Sequence, residues 1–396
     1  MTALERRSVA SLALLYAFRM LGLFMVLPLL ALYAGDMPGA TTALIGLALG
    51  IYGLTQAALQ IPFGWLSDRI GRKPVIIGGL LVFALGSIVA ALAESVWGII
   101  LGRTLQGAGA IASTVMALVA DLTSPAQRTK AMALVGISIG LSFAIALVLG
   151  PLVASFGGLS AVFWFTTLLA GIGIAVVLFL VPTPGPNVPE QQEPGLDAGM
   201  LRRSVFDGTL ARLNFGVFCL HFTLMAAFLL IPAWLEQGAG VSRESHWMVY
   251  LPVLFLSLVG MVPLMSFAER GGRPRAAFLI GIAVLLVAVG SMGIVHVGVA
   301  FYVGLWLFFV GFNYLEATLP SLVSKTALAD SKGTAMGVYS TCQFLGAFAG
   351  GAAGGWLLQH LGEAALVLVC CLLVAAWGLS VVLAPGPARE VPSSPW

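Results

Sequence analysis

Gly64-Trp65-Leu66-Ser67-Asp68-Arg69-Ile70-Gly71-Arg72-Lys73-Pro74 is a charged turn set between two long apolar runs. Charged residues make up only 9% of the 396-residue chain, so Asp68, Arg69, Arg72 and Lys73 in one short loop stand out. A partial copy, Glu269-Arg270-Gly271-Gly272-Arg273, joins two further apolar runs, 201 residues on. A membrane chain that repeats its charged turn in each half reads as a transporter built from two related bundles.

Working outward, hydrophobic residues are 60% of the chain and the mean hydropathy is +1.03. A soluble domain carries roughly 25% charged residues. A bilayer span needs about 20 mainly apolar residues. Twelve such runs lie near 9–33, 42–65, 75–93, 96–119, 130–154, 160–181, 210–235, 245–268, 276–295, 298–322, 333–359 and 363–384. They are continuous rather than alternating, which favours helices over barrel strands of about 9–11 residues. The expected fold class is an all-α membrane protein: twelve transmembrane helices in two pseudo-symmetric six-helix bundles. The first run is too long for a signal-peptide core and more spans follow it, so it is expected to be retained.

The net charge of +3 is informative by position. If the spans alternate, Arg6, Arg7, Arg69, Arg72, Lys73, Arg128, Lys130, Arg202, Arg203, Arg212, Arg270, Arg273, Arg275, Lys325, Lys332 and Arg389 share one side, and Arg243 alone takes the other. That asymmetry predicts a multi-pass protein with both termini in the cytoplasm. Trp97, Trp164, Trp234, Trp247 and Trp356 fall at predicted outer ends and Trp65 at an inner end, the depth indoles prefer. The basic residues are spread over many short loops, which argues against a nucleic-acid partner. Cys219, Cys342, Cys370 and Cys371 lie in apolar runs and offer neither a disulfide framework nor a metal spacing.

The expected domains are a first bundle over 1–181, a cytoplasmic linker over 182–208, a second bundle over 209–384 and a cytoplasmic tail over 385–396. The linker is rich in Pro, Gly, Gln and Glu. Met200, Leu201, Val205 and Phe206 beside Arg202 and Arg203 suit either a short interfacial helix or a plain tether with a positive flank. Other echoes share one offset: Phe24–Pro28 resembles Phe228–Pro232, and Ala131-Met132 resembles Ala335-Met336, each 204 residues apart.

The charged turn invites a physical reading. Gly64 would admit a close helix approach, and Gly71 a tight turn. Asp68 ends a helix where a neighbour could offer its positive N-terminus. Arg72 and Lys73 face the side where Asp121 ends the fourth run, with Arg128 just beyond. A charge network here would hold one conformation and break in another; the bland alternative is a loop whose basic residues merely set topology. Arg19 and Arg103 are left inside the membrane, where a charge costs at least roughly 2.5–3.5 kcal/mol unless it finds a cavity or partner. Arg19 suits a cavity; Arg103 suits helix-to-helix bonding or shifting a neighbour's proton affinity. Glu316 is the one carboxylate clearly inside a run and the leading proton carrier, with a buried structural pair as its alternative. His221, near mid-depth, is a second proton-coupling candidate, or a neutral histidine satisfied by a neighbouring helix. Gln56, Gln60, Asn214, Asn313 and Gln343 could supply polar cavity contacts. Tyr16, Phe24, Phe222, Phe312, Tyr314, Tyr339 and Phe344 could supply walls, although aromatics at helical spacing usually mean packing.

Gly64, Leu66, Asp68, Arg69, Gly71, Arg72 and Lys73 resemble motif A (GxLxDRxGRK) of the major facilitator superfamily. Arg103-Thr104-Leu105-Gln106-Gly107-Ala108-Gly109 resembles its motif B, RxxQGxG. Gly150-Pro151 resembles the core of motif C of drug:proton antiporters, with Ala146 and Ala154 where glycines are usual. Arg19–Gly22, Ile51–Gln56, Asp121–Thr123, Cys219–His221, Leu319–Leu322 and Gly333–Tyr339 look like the YajR-type branch of these antiporters. The protein that gives that branch its name carries an additional soluble C-terminal domain; this chain is expected to stop before one, so no role of that domain is carried over.

The resemblance implies alternating access by rocking of the two halves. It also implies that Asp68 meets the start of the eleventh helix, and that Arg72 pairs with Asp121, in an outward-open state. The expected function is therefore secondary active transport across an inner membrane: proton-coupled efflux of a small amphiphilic compound. The partners are the lipid bilayer, a small-molecule substrate and protons, for a chain expected to work as a monomer. One alternative is a transporter of an anionic metabolite clamped by Arg19 and Arg103. Another is a non-transporting membrane receptor on the same scaffold. No phosphate loop, metal-binding cluster or nucleophile elbow appears, so neither a cofactor, a metal nor an enzyme is expected.

Overall fold

The computed structural model describes residues 1–182, 202, 204–328 and 331–383. Among them every regular element is helical. Ten helices are long and apolar enough to cross a membrane. Two local breaks raise the number of spans to twelve. The 51-residue helix Lys332–Val382 is two spans that meet at Gly362, whose φ of +83° no helix tolerates. The fourth run is not one continuous helix: it divides into Val96–Ala108 and Ala112–Asp121. Most of the expected linker and the tail lie outside the described residues, as do Met200, Leu201, Arg203 and Arg389.

The remaining spans in chain order are Ala3–Met25 continued by Leu27–Tyr33, then Thr42–Ile70, Arg72–Ala91, and after the fourth, Pro125–Ala154 and Gly158–Phe179. The later ones are Gly208–Ala233, His246–Glu269, Pro274–Ile294 and Gly298–Thr326. Their starts follow ordinary capping rules. Thr41 accepts from the Leu44 amide at 3.3 Å, and Asp207 accepts from the Thr209 and Leu210 amides, each at 2.9 Å. The second span has 29 residues, about 43 Å of helix at 1.5 Å per residue. It outruns a hydrocarbon core of about 30 Å and carries Asp68 beyond it.

The two ends of the molecule differ. The end bearing Asp68–Lys73, Asp121 and Arg273 is the basic rim; the end bearing Asp36 and Arg243 is the far rim. The first six spans meet the last six chiefly through the second with the eleventh, the first with the seventh, and the fifth with the eighth. The tightest is between the second and eleventh spans, near the far rim. Gly46, Gly50 and Gly53 lie on one helix face at spacings of four and three. A Cβ added at Gly46 would stand 2.6 Å from Gly355 Cα, and one at Gly50 3.1 Å from Phe348 Cα. Only bare backbone fits there.

Below this seam Phe143 of the fifth span reaches between the halves. Its ring lies 5.1 Å from Phe24, 6.3 Å from Phe228 and 6.0 Å from Phe312. The polar links between halves described at the far rim are the Ala43 amide to Gln359 Oε1, 2.9 Å, and Arg243 Nη1 to Asp36 Oδ2, 3.3 Å. The far rim is shut.

Candidate functional site

At the basic rim the chain reverses on Gly71, with φ +95° and ψ 151°, where a side chain would be strained. The reversal lays Arg72 back over the end of the second span. Arg72 pairs with Asp68; its Nη1 donates to Ser67 Oγ at 2.7 Å and its Nε to Asp121 Oδ2 at 3.1 Å. All these groups belong to the first six spans. The cluster therefore ties the second, third and fourth spans together and does not bridge the halves. The Asp68 side chain is 57% exposed, and among the described residues no hydrogen bond or ion pair joins it to Lys332–Thr334. Lys73 Nζ donates to the Val181 carbonyl, Arg128 Nε donates to the Ala120 carbonyl at 3.3 Å, and Arg69 covers the Trp65 ring at 3.8 Å. Gly64 does not mark a close approach in this state. An added Cβ would meet Ser113 Oγ at 3.4 Å, an ordinary contact.

Gly150 is different: a Cβ there would sit 2.9 Å from the Met25 carbonyl, so it lets the fifth span lie against the break in the first. Pro151 follows it inside the helix.

Two guanidiniums are sealed inside the first bundle, Arg19 at 1% and Arg103 at 0% exposure. Arg103 is held on every nitrogen: Nε to the Ala48 carbonyl at 3.3 Å, Nη2 to that of Leu49 at 3.4 Å and Nη1 to Gln106 Oε1 at 2.9 Å. Gln106 passes the chain on to Ser87 Oγ at 2.8 Å. This makes Arg103 a strut between the fourth and second spans. Arg19 Nη2 donates to Gln56 Oε1 at 2.7 Å and to the Gly109 carbonyl at 3.0 Å. Gly109 is where the fourth span breaks, so Arg19 supplies a donor at a point where the helix ladder fails. Arg19 Nε and Nη1, Gln56 Nε2 and Gln60 Oε1 are buried without partners. Tyr52 OH donates to Gln56 Oε1 at 3.1 Å. Tyr16 is buried in the bundle core, and Phe24 serves the aromatic closure against Phe143.

The second bundle places Glu316, Gln343 and His221 side by side from the tenth, eleventh and seventh spans. Gln343 Nε2 lies 2.8 Å from His221 Nε2 and donates to Glu316 Oε1 at 3.2 Å. His221 Nδ1 faces the Val217 carbonyl at 3.2 Å. A carbonyl can only accept, so Nδ1 carries the proton and Nε2 is the lone pair that accepts from the amide. His221 Nε2 and Glu316 Oε2 stand 3.8 Å apart, and Oε2 is without a hydrogen-bond partner. The Glu316 side chain is 34% exposed, so it borders open space. Phe312 and Phe228 lie nearer the far rim than Glu316 and His221 along their own spans, and Phe143 packs against both rings.

The other candidates divide. Asn313 Nδ2 donates to Ser257 Oγ at 2.9 Å, linking the tenth and eighth spans. Tyr339 OH is buried and unpartnered on the eleventh span. Tyr314 is not a wall of this space. Its ring packs on Gly281 of the ninth span, because two residues on from Tyr314 a helix has turned about 200° to present Glu316. Asn214 lines a small apolar recess with Phe215, Phe218, Val338 and Cys342. Sequence reasoning missed Phe143, Ser87 and Ser257, which carry no unusual residue type. It also missed Asp36 and Glu236 around Arg243, for which the isolation of Arg243 on its side was the available signal.

A family model described as Major Facilitator Superfamily matches residues 12–351. The chain is 48% identical over 380 residues to "Inner membrane transport protein YajR" of Escherichia coli (strain K12), covering 95% of this chain and 83% of that protein. It is 26% identical over 366 residues to "Multidrug resistance protein MdtH" of Aeromonas salmonicida (strain A449), covering 92% and 90%. Its fold matches the crystal structure of the human organic anion transporter MFSD10 with a TM-score of 0.69 at 21% identity, over 96% of this chain and 100% of that one.

Proposed function

The chain belongs to the major facilitator superfamily, and from that premise we propose that it is a proton-coupled exporter of small amphiphilic compounds in an inner membrane. The YajR and MdtH names support that membrane and that class of cargo. The basic rim is then the cytoplasmic side, in keeping with its excess of Lys and Arg, and the state described is open inward.

The observation that carries proton coupling is the Glu316–Gln343–His221 chain. Glu316 is the one carboxylate among the described residues well inside a span, with its side chain 34% exposed. Ionised, it attracts the amide; protonated, it no longer needs it. A proton on His221 Nε2 would oppose the amide N–H and turn the ring toward Glu316 Oε2. Proton and substrate thus each favour a different arrangement of one polar chain between three spans, which is the differential binding that coupling requires.

The experiment is flux in proteoliposomes under an imposed pH gradient. The wild type is expected to respond to the gradient, and Glu316→Gln to bind substrate yet move it indifferently to the gradient. Gradient-driven flux that survives in Glu316→Gln puts the carrier elsewhere.

A second reading has one observation in its favour. Arg19 is a buried cation whose Nε and Nη1 lack partners, so an anionic substrate would find donors there. Competition by organic anions, absent in Arg19→Gln, supports it; Arg103, with each nitrogen already bonded within the first bundle, belongs to the scaffold.

A further inference from the structure

Arg243 stands at the start of the eighth span, the lone basic residue that the alternating spans assign to the far rim. Its guanidinium is shared between the halves. On its own side Nε donates to Glu236 Oε1 at 3.0 Å, and Glu236 lies in the π-helical turn Trp234–Gly238 that closes the seventh span. The neighbouring His246 is buried, with Nε2 3.2 Å from the Val241 carbonyl, which fixes the loop that carries Arg243. Across the gap Nη1 donates to Asp36 Oδ2 at 3.3 Å. The cation also lies 5.2 Å from the centre of the Tyr33 ring. Asp36 and Tyr33 end the first span and its short 3₁₀ turn, so they belong to the opposite half.

We propose that Arg243 is the positioning residue of an ionic latch that holds the far gate closed, with Asp36 and Tyr33 as its catch and Glu236 as its mount. Opening the far rim separates the first and second spans from the seventh, eighth and eleventh. The Arg243–Asp36 and Arg243–Tyr33 contacts must then part, while Arg243–Glu236 stays whole. At the basic rim the opposite holds: Arg72, Asp68 and Asp121 all lie in one half, so their contacts survive either movement. The two rims are thus unlike. In the state described, the far gate carries a charge pair between the halves, and the basic-rim cluster is paired within one half. The glycine seam between the second and eleventh spans sets how near the halves can come; the latch adds a preference for staying there.

The latch is partly solvated, with the Asp36 side chain 76% exposed, so it biases rather than locks. An exposed pair shifts a two-state balance by roughly two- to fivefold, and added salt screens it. The inference rests on the alternating-access part of the reading above and not on proton coupling.

The test is double electron–electron resonance on the full chain in nanodiscs, without substrate or gradient and with the four cysteines replaced by serine. One spin-label pair, at Glu94 and Leu361, spans the far rim; another, at Arg7 and Thr326, spans the basic rim. Asp36→Asn and Arg243→Gln are each expected to raise the far-open population about two- to fivefold, with reciprocal shortening at the basic rim. Glu236→Gln should do less. Raising the ionic strength from about 0.02 to about 0.5 M should reproduce the shift in the wild type and add little in Arg243→Gln. Unchanged distances in Asp36→Asn, a conservative change at an exposed position, overturn the latch. So does a longer far-rim distance with no shortening at the basic rim, which would mark a loosened loop.

Discussion

At the scale of single residues, the interior charges sort by what they touch. Arg103 meets two backbone carbonyls and a side-chain amide; Gln343 meets two groups that can change protonation. Their removal should have opposite signatures. Arg103→Ala leaves Gln106 Oε1 without its donor and should cost about 1–2 kcal/mol of stability, the upper range for interhelical polar contacts in a membrane. Its response to a pH gradient should persist. Gln343→Leu keeps the volume but cannot donate, so His221 and Glu316 lose their bridge. Its thermal stability should change by less than about 1 kcal/mol, while gradient-driven flux falls at least roughly tenfold. Thermal unfolding and proteoliposome flux, measured on both variants, check the pair. The rare ionisable groups could be picked out from the chain alone because a charge in hydrocarbon is costly. Their partners could not. His221 and Gln343 are 122 positions apart, and the sequence marks the amide as a polar cavity candidate without saying that it bridges the histidine and Glu316.

At the scale of elements, most spans could be delimited from apolar length, since each is a local run. The break in the fourth could not, because its composition is as apolar as its neighbours. The weak helix formers Gly107 and Gly109 mark the place, but that the Gly109 carbonyl there is shared between the Ile111 amide and Arg19 of a different span is a tertiary fact. The glycines of the second and eleventh spans show the same dependence. Their spacing puts them on a helix face, yet their use as a seam follows from which face meets which. Gly351→Ala would place a Cβ 2.8 Å from Gly50 Cα. Overpacking costs about 1–3 kcal/mol, and here the protein can escape the cost by opening the far rim. A change of that size shifts a two-state balance by roughly 5- to 150-fold. Maleimide labelling of a cysteine placed at Thr42 should accelerate accordingly; an unchanged labelling rate would show that the seam does not set the gate.

For the whole molecule, the two rims must exchange roles. With the far rim shut, Asp68 is exposed and paired only with Arg72 of its own half. In the opposite state the basic rim closes, and Asp68 is expected to reach the start of the eleventh span near Gly333. Cysteines at Asp68 and Gly333, joined by a short bifunctional maleimide, should cross-link poorly in the wild type and severalfold better in Gly351→Ala, which favours the opposite state. Equal yields in both backgrounds would mean that the rims do not move reciprocally. The same logic ranks the charged clusters: one contained within a bundle shapes it, and one shared between bundles reports their separation.

Composition and run length alone determined that this is a helical membrane protein of twelve spans, because apolar length is a property of consecutive residues. The repeated charged turn marked the duplication for the same reason. Which rim is closed, which carboxylate stands beside which imidazole, and which cation grips the opposite half were decided only in the tertiary structure. Those facts depend on side chains brought together from separate spans, and helix packing, not local sequence, sets the faces they share.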